Sequence, residues 1–437
     1  MNKDINTSNV HETLSKHMLA DGFDIVCDLD KSHGSYLYDS KNQKEYLDFF
    51  TFFASFPVGF NHPKMNNDEF ISKIGKAALH KPSNSDIYTV EMAKFVDTFG
   101  KIAKPDYMKY LFFVSGGALA VENALKAAFD WKIRKNMEAG KGEKGYKMMH
   151  FKHAFHGRTG YTLSMTNTFD PRKTQYFPQF DWPRVDSPYL KFPVDDSELE
   201  RVKKEEDRVI EQIKQHIADD GDDIAGILIE PIQAEGGDNH FRSEFFKQLR
   251  EITLDNDMMF IVDEVQSGMG ITGKFWAVEH YGVEPDIISF GKKAQICGIM
   301  ASERMDEVEK NVFRESSRIN STWGGNFVDM IRATRILEII NEENLVDNAA
   351  KTGDYLLSRL KDIDSDKISN IRGRGLIAAF DLEDTETRDK MFDILFDEGL
   401  FAITCGSCSI RFRPPLNVSR EEVDKSIDMI KRAIERI

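Results

Sequence analysis

From residue 61 to about 344 the chain alternates amphipathic helical stretches with short apolar runs, the pattern of a mainly parallel sheet covered on both faces by helices. Leu111-Phe112-Phe113-Val114, Met258 to Val262 and Ile287-Ile288-Ser289-Phe290 are runs of strand length, apolar at nearly every position, as strands buried on both sides must be. Between them, Asp195 to Asp223 places Val202, Val209, Ile210, Ile213 and Ile217 at helix-compatible spacing among Lys, Glu and Asp, which predicts an amphipathic helix with a solvated outer face. Residues 1 to about 60 read as a short helix and then strands over Gly34 to Asp39 and Tyr46 to Phe49, too little to fold alone. Past Trp323-Gly324-Gly325-Asn326 come long helical stretches, then strands over Ile368 to Arg372, Leu376 to Leu382, Leu400 to Thr404 and Ser409 to Phe412. A final helix begins at about Glu421, so this C-terminal part is α+β in character.

At 437 residues the chain is too long for one small core and is expected to form two closely associated domains. Its 41% hydrophobic and 30% charged residues are those of an ordinary globular protein, and a formal charge of −15 without a basic patch argues against nucleic acid as a partner. The N-terminus, Met1-Asn2-Lys3-Asp4-Ile5-Asn6-Thr7, is polar, and no run approaches the roughly 18 apolar residues of a membrane span. A cytoplasmic protein with no membrane partner is expected. Cys27, Cys297, Cys405 and Cys408 are too few and too scattered for a disulfide framework, and the lone Cys405-Gly406-Ser407-Cys408 reads as ordinary thiols.

Two of the apolar runs end in useful charges: Asp263 closes one, and Lys292-Lys293 follows the other. A carboxylate can hold a pyridine nitrogen protonated, which makes the ring an electron sink, and a lysine can carry a cofactor aldehyde as a Schiff base and then move a proton between carbon atoms. That pairing suits pyridoxal 5'-phosphate. Charged residues also end buried strands simply because strand ends meet water, so the pairing gains its force from what surrounds it. Ser115-Gly116-Gly117-Ala118 lies between an apolar strand and a helix bearing Val121, Ala124, Leu125 and Ala128, and such a glycine turn at a helix N-terminus can cradle a phosphate. Phe155 could stack on a pyridine face, opposite Val265. His150, His153 and His156, three apart on an extended segment, send successive side chains to opposite faces, so no metal site is expected.

The text Ile261-Val262-Asp263-Glu264-Val265-Gln266-Ser267-Gly268-Met269-Gly270, followed by Pro285-Asp286-Ile287-Ile288, resembles the class III aminotransferases. Phe113 to Lys126, Ala154-Phe155-His156-Gly157-Arg158, Glu230-Pro231-Ile232-Gln233, Asn320 to Asn326 and Arg411-Phe412-Arg413-Pro414-Pro415 extend the likeness over nearly the whole chain, and look like the lysine 6-aminotransferases within that class. The resemblance implies fold-type I: a large cofactor domain, residues 61–344, and a smaller α+β domain assembled from residues 1–60 and 345–437. It further implies a homodimer with shared active sites, Gly117 and Ala118 presenting backbone amides to the cofactor phosphate while Thr322 supplies a hydroxyl across the subunit boundary. Gln266 matches the residue that bonds the cofactor's phenolic oxygen, Glu230 a carboxylate behind the ring, and His156 a cofactor-pocket residue. Counting back from Gly298, aligned with a glycine of the wider class, selects Lys293 as the Schiff-base lysine and has Lys292 point away.

For substrates, Arg411 resembles the arginine that grips the α-carboxylate of 2-oxoglutarate or glutamate, and Arg158 the one that anchors the α-carboxylate of lysine, with Asn320 a further pocket residue. Glu235, in Gln233-Ala234-Glu235-Gly236-Gly237, resembles a switch that pairs with Arg411 while lysine reacts and swings aside for 2-oxoglutarate. Ala234, where the subfamily carries glycine, and the bulky Phe56-Pro57 are departures that bear on pocket width. The activity implied is transfer of the ε-amino group of L-lysine to 2-oxoglutarate. Its rivals are an ω-aminotransferase for ornithine or 4-aminobutyrate, an aminomutase of the same fold, and a non-catalytic binding module.

Overall fold

The structure, a computed structural model, describes residues 5–80 and 86–437. After a short helix, Val10–Ser15, the chain forms a hairpin of β1 (Tyr36–Asp39) and β2 (Lys44–Asp48). The central part then supplies β3 (Met108–Val114), β4 (Lys147–Phe151), β5 (Arg184–Val185) and β6 (Ile224–Ile229), a short hairpin of β7 (Ile232–Gln233) and β8 (Asn239–His240), and β9 (Met259–Asp263), β10 (Ile287–Phe290) and β11 (Cys297–Ser302). Seven of these form one sheet in the order β3-β11-β10-β9-β6-β4-β5, with β11 alone running against the rest. The mainly parallel sheet read from the apolar runs is therefore present, and the carboxyl ends of β3, β4, β6, β9 and β10 open on one edge, where open α/β sheets bind their ligands.

Burial on both faces explains why these strands are apolar throughout. Ile227, Phe260, Val262, Ile288 and Phe290 pack into one core cluster with Phe245, Phe246 and Leu249 of the helix Ser243–Asp255. Their neighbours Leu228, Ile261 and Ile287 face the other way, onto Val121, Ala124, Leu125 and Trp131 of the helix Gly117–Glu138. The charged stretch is a helix, Asp196–Asp220, capped by Asp195, which buries Val202, Val209, Ile210 and Ile213.

The C-terminal part contributes β12 (Ser369–Arg374), β13 (Ile377–Asp381), β14 (Leu400–Phe401), β15 (Ile403–Cys405) and β16 (Ser409–Phe412), then the helix Arg420–Arg436. The single strand expected over Leu400 to Thr404 is in fact two, broken at Ala402. β14 leaves to pair in parallel with β2, whereas β15 pairs with β16 in the antiparallel sheet β12-β13-β16-β15. That break ties the C-terminal segment to the N-terminal one.

One turn departs from ordinary backbone. Thr51, Phe52, Phe53 and Ala54 all have positive φ (45°, 51°, 58° and 61°), a left-handed turn that costs roughly 1–2 kcal/mol for each such residue. It is held at its start: Asp48 Oδ1 accepts from the amides of Phe50 (3.0 Å) and Thr51 (2.7 Å), and Thr51 Oγ1 donates to the Arg413 carbonyl at 2.7 Å. The turn hands its carbonyls to the loop after β10.

Candidate active site

Strand register assembles the site. Pairing of β9 with β10 sets Asp263 beside Ser289, and pairing of β6 with β9 sets Ile229 beside Val262, so that Glu230, one residue further on, reaches the same strand end as Asp263. Above these ends lies a cavity of about 250 Å³ lined by Gly117, Ala118, Phe155, His156, Gly157, Glu230, Glu235, Asp263, Val265, Gln266 and Lys292. Nine of the residues singled out from sequence thus converge, from segments spread between residues 117 and 266.

Asp263 is fixed by three donors. Oδ2 accepts from His156 Nδ1 at 2.8 Å, and Oδ1 from the Val265 amide (3.0 Å) and Ser289 Oγ (3.1 Å). His156 is fully buried, and its Nε2 has no partner among the described residues. Behind it, Glu230 accepts from the amides of Phe155 (3.0 Å) and Ala234 (3.3 Å), so it positions the aromatic ring that enters the cavity. Burial raises its carboxyl to about 7, with Asp263 adding to the shift and His156 opposing it.

The two lysines are the reverse of the expectation. Lys293, expected in the cavity, is buried, and its Nζ donates to the carbonyls of Gln266 (2.6 Å) and Ala54 (3.3 Å), joining the loop after β9 to the left-handed turn. Lys292, expected to point away, lines the cavity and donates to the Phe53 carbonyl at 3.1 Å. Its backbone is left-handed, with φ 49°, at the start of a 3₁₀ turn, so strand alternation does not carry past Phe290. Burial, reinforced by Arg411, lowers its amine to about 7. Burial also drives the Lys293 amine well down, and Lys292 pushes it further.

Glu235 sits on the turn between β7 and β8. Gly236 beside it has no room for a side chain: a Cβ there would stand 2.1 Å from the His153 carbonyl. Glu235 Oε2 accepts from Arg411 Nη2 at 2.8 Å, and Oε1 from Lys173 Nζ at 2.6 Å. Arg411, on β16, is 1% exposed, with Nε and Nη1 unpartnered among the described residues. Lys173 was not found from sequence; it lies in the connection after β4, and no local pattern marks it. Arg158, Asn320 and Thr322, expected at the substrate or cofactor, are exposed and lie outside the cavity lining of their own chain. Asn320 instead accepts from the Ser321 amide at 2.7 Å, and Arg158 forms no ion pair among the described residues.

A model of the class-III aminotransferase family matches residues 19–434. The chain belongs to the class III aminotransferases. It is 48% identical to the L-lysine-epsilon aminotransferase of Mycobacterium tuberculosis, over 97% of this chain and 95% of that one, and 33% identical to the mouse mitochondrial 4-aminobutyrate aminotransferase, over 91% and 82%. A solved lysine aminotransferase from M. tuberculosis, in the internal aldimine form, superposes with a TM-score of 0.96 at 47% identity, covering 99% of this chain and 100% of that one.

This aminotransferase has the fold-type I architecture, and pyridoxal phosphate is its cofactor. The cavity fits the group. Gly116 (φ 120°) turns the chain into the N-terminus of a helix of 22 residues, whose free amides suit a phosphate. A Cβ on Gly117 would meet Val265 Cγ1 at 3.0 Å, so glycine lets the start of the helix approach the cavity wall closely. Gly157 (φ 129°) closes the other side, where a Cβ would fall 2.4 Å from that of Ala118.

Proposed function

We propose that this chain transfers the ε-amino group of L-lysine to 2-oxoglutarate, giving L-glutamate and 2-aminoadipate 6-semialdehyde, which cyclises to 1-piperideine 6-carboxylate. The observation that carries this reading is the Glu235–Arg411 pair at the cavity (2.8 Å). An unmasked arginine would draw the α-carboxylate of lysine and present the wrong amine; a masked one leaves the distal amine to react. The higher identity to lysine enzymes than to a 4-aminobutyrate enzyme supports the substrate.

When bound, pyridoxal phosphate supplies an aldehyde for the amine and an electron-withdrawing ring. Asp263 is assigned to the ring nitrogen, and Phe155 and Val265 to its two faces. Gln266 is assigned to the phenolic oxygen and the amides of Gly117 and Ala118 to the phosphate. Lys292, and not Lys293, is assigned the covalent role. Its Nζ, neutral above about pH 7, takes the proton from the ε-carbon of lysine. Lys293 braces the loop beneath.

The active unit is proposed to be a cytoplasmic homodimer, with Thr322 and Asn320 completing the partner's site and Arg158 receiving the α-carboxylate of lysine at the mouth. Large apolar side chains left exposed between Phe52 and Val90, among them Phe53, Ile71, Leu79 and Ile87, support an interface there. No helix among the described residues is long and apolar enough to cross a membrane. The proposed domain division is 1–60 with 345–437, around 61–344.

Absorbance scans of cofactor-loaded protein test the reading. L-Lysine alone should convert the cofactor band to that of the aminated form, 2-oxoglutarate should restore it, and ornithine or 4-aminobutyrate should act weakly. A shorter amine reacting in place of lysine would move the assignment to an ω-aminotransferase, and turnover without any 2-oxo acid would indicate an aminomutase.

A further inference from the structure

The masking carboxylate is held by two cations. Glu235 spends one oxygen on Arg411 (2.8 Å) and the other on Lys173 (2.6 Å), and the side chains of the two cations are 1% and 15% exposed. Burial alone would raise the Glu235 carboxyl, but Arg411 and Lys173 together hold it below its ordinary value. Lys173 keeps its place by other contacts: Nζ donates to Thr168 Oγ1 at 3.3 Å and stands 5.7 Å from the centre of the Phe155 ring, at the end of a turn capped by Asp170.

An incoming carboxylate meets an arginine that still has two buried donors, Nε and Nη1, without partners among the described residues. To reach Arg411 it has to displace Glu235, the carboxylate that pairs with it. What then decides the exchange is where Glu235 goes, because a carboxylate set adrift in a partly buried site loses its charge partner and its hydrogen bonds at once. With Lys173 in place it gives up one of two partners and keeps the other. Without Lys173 it gives up its last one, so the masked state gains at the expense of the open one.

We propose that Lys173 is a positioning residue for the carboxylate gate: it retains Glu235 when Arg411 passes to the carboxylate of the second substrate. This rests on the masking role proposed for Glu235.

The test uses holoenzyme carrying Lys173→Met, Lys173→Arg, Glu235→Ala, or Glu235→Ala with Lys173→Met. Lys173→Met is expected to raise KM for 2-oxoglutarate about five-fold relative to any change in KM for L-lysine, the size of a partly exposed ion pair. Lys173→Arg should restore most of that loss, and in the Glu235→Ala background Lys173→Met should have no further effect. Glu235→Ala alone should let the α-amines of lysine and glutamate compete with the ε-amine. Equal changes in both KM values, or an undiminished effect without Glu235, would overturn the role of Lys173 while leaving the gate standing. Unchanged amine selectivity in Glu235→Ala would overturn the gate, and the role of Lys173 with it.

Discussion

The loop after β10 carries two adjacent lysines with opposite fates, and the difference between them is one residue of backbone. Lys292→Ala is expected to abolish the borohydride-reducible link to the cofactor and to lower turnover by at least about 10³-fold, whereas Lys293→Met should keep the link and lose mainly stability. Mass spectrometry of the reduced protein separates the two. Asp263→Asn, which leaves the carboxylate's position but not its charge, should cost about 10²–10⁴-fold in kcat with little change in cofactor content. The Lys292 amine, with its pKa lowered to about 7 from 10.5, is neutral above that pH and protonated below it. Cofactor capture by the cofactor-free protein should therefore slow about ten-fold for each pH unit below about 7 and level off above it. Most of the cavity lining was named from sequence, Asp263 because a strand end announces itself by the charge that follows an apolar run, and most of the others through the family resemblance. The choice between Lys292 and Lys293 was not. It depends on a left-handed residue inside a 3₁₀ turn: the family count back from Gly298 selects Lys293, whereas Lys292 is the one that lines the cavity. Lys173 left no trace either, since a lysine in a polar connection looks like any other until the fold brings Glu235 to it.

Among the elements, the turn between β7 and β8 is where small backbone changes should have large effects. Gly236→Ala would place a methyl 2.1 Å from a carbonyl and force the turn, with Glu235 on it, away from Arg411. A loss of about 2 kcal/mol or more in stability is expected, seen as a lowered Tm, together with weakened preference for the ε-amine. Apolar runs identified β9 and β10 to within one residue and the last four residues of β3, and the stripe in the charged stretch identified its helix. Two features escaped that reading. The break at Ala402 arises because β14 and β15 find partners in different sheets, which local pattern cannot express. The left-handed turn at 51–54 consists of residues with no intrinsic taste for that conformation; Asp48, the Arg413 carbonyl and the lysine loop impose it from outside.

At the scale of the molecule, β14 beside β2 joins the two ends of the chain, while the cavity sits on the central sheet's carboxyl edge. Thr322 and Asn320 lie outside the cavity of their own chain, and the proposed homodimer assigns them to the partner's site. Co-expression provides a direct check: Lys292→Ala and Thr322→Ala chains, each impaired as homodimers, should regain activity in mixed dimers, because one of the two sites then has both residues intact. No complementation in mixed dimers would place Thr322 in its own chain's site. The measurement that bears most directly on the whole account is the fate of a heavy-nitrogen label placed on either the ε- or the α-amine of L-lysine, followed into glutamate in the presence of 2-oxoglutarate. Label reaching glutamate from the ε-position alone is the expected result; label arriving from the α-position would contradict the masking of Arg411 by Glu235 and the assignment built on it.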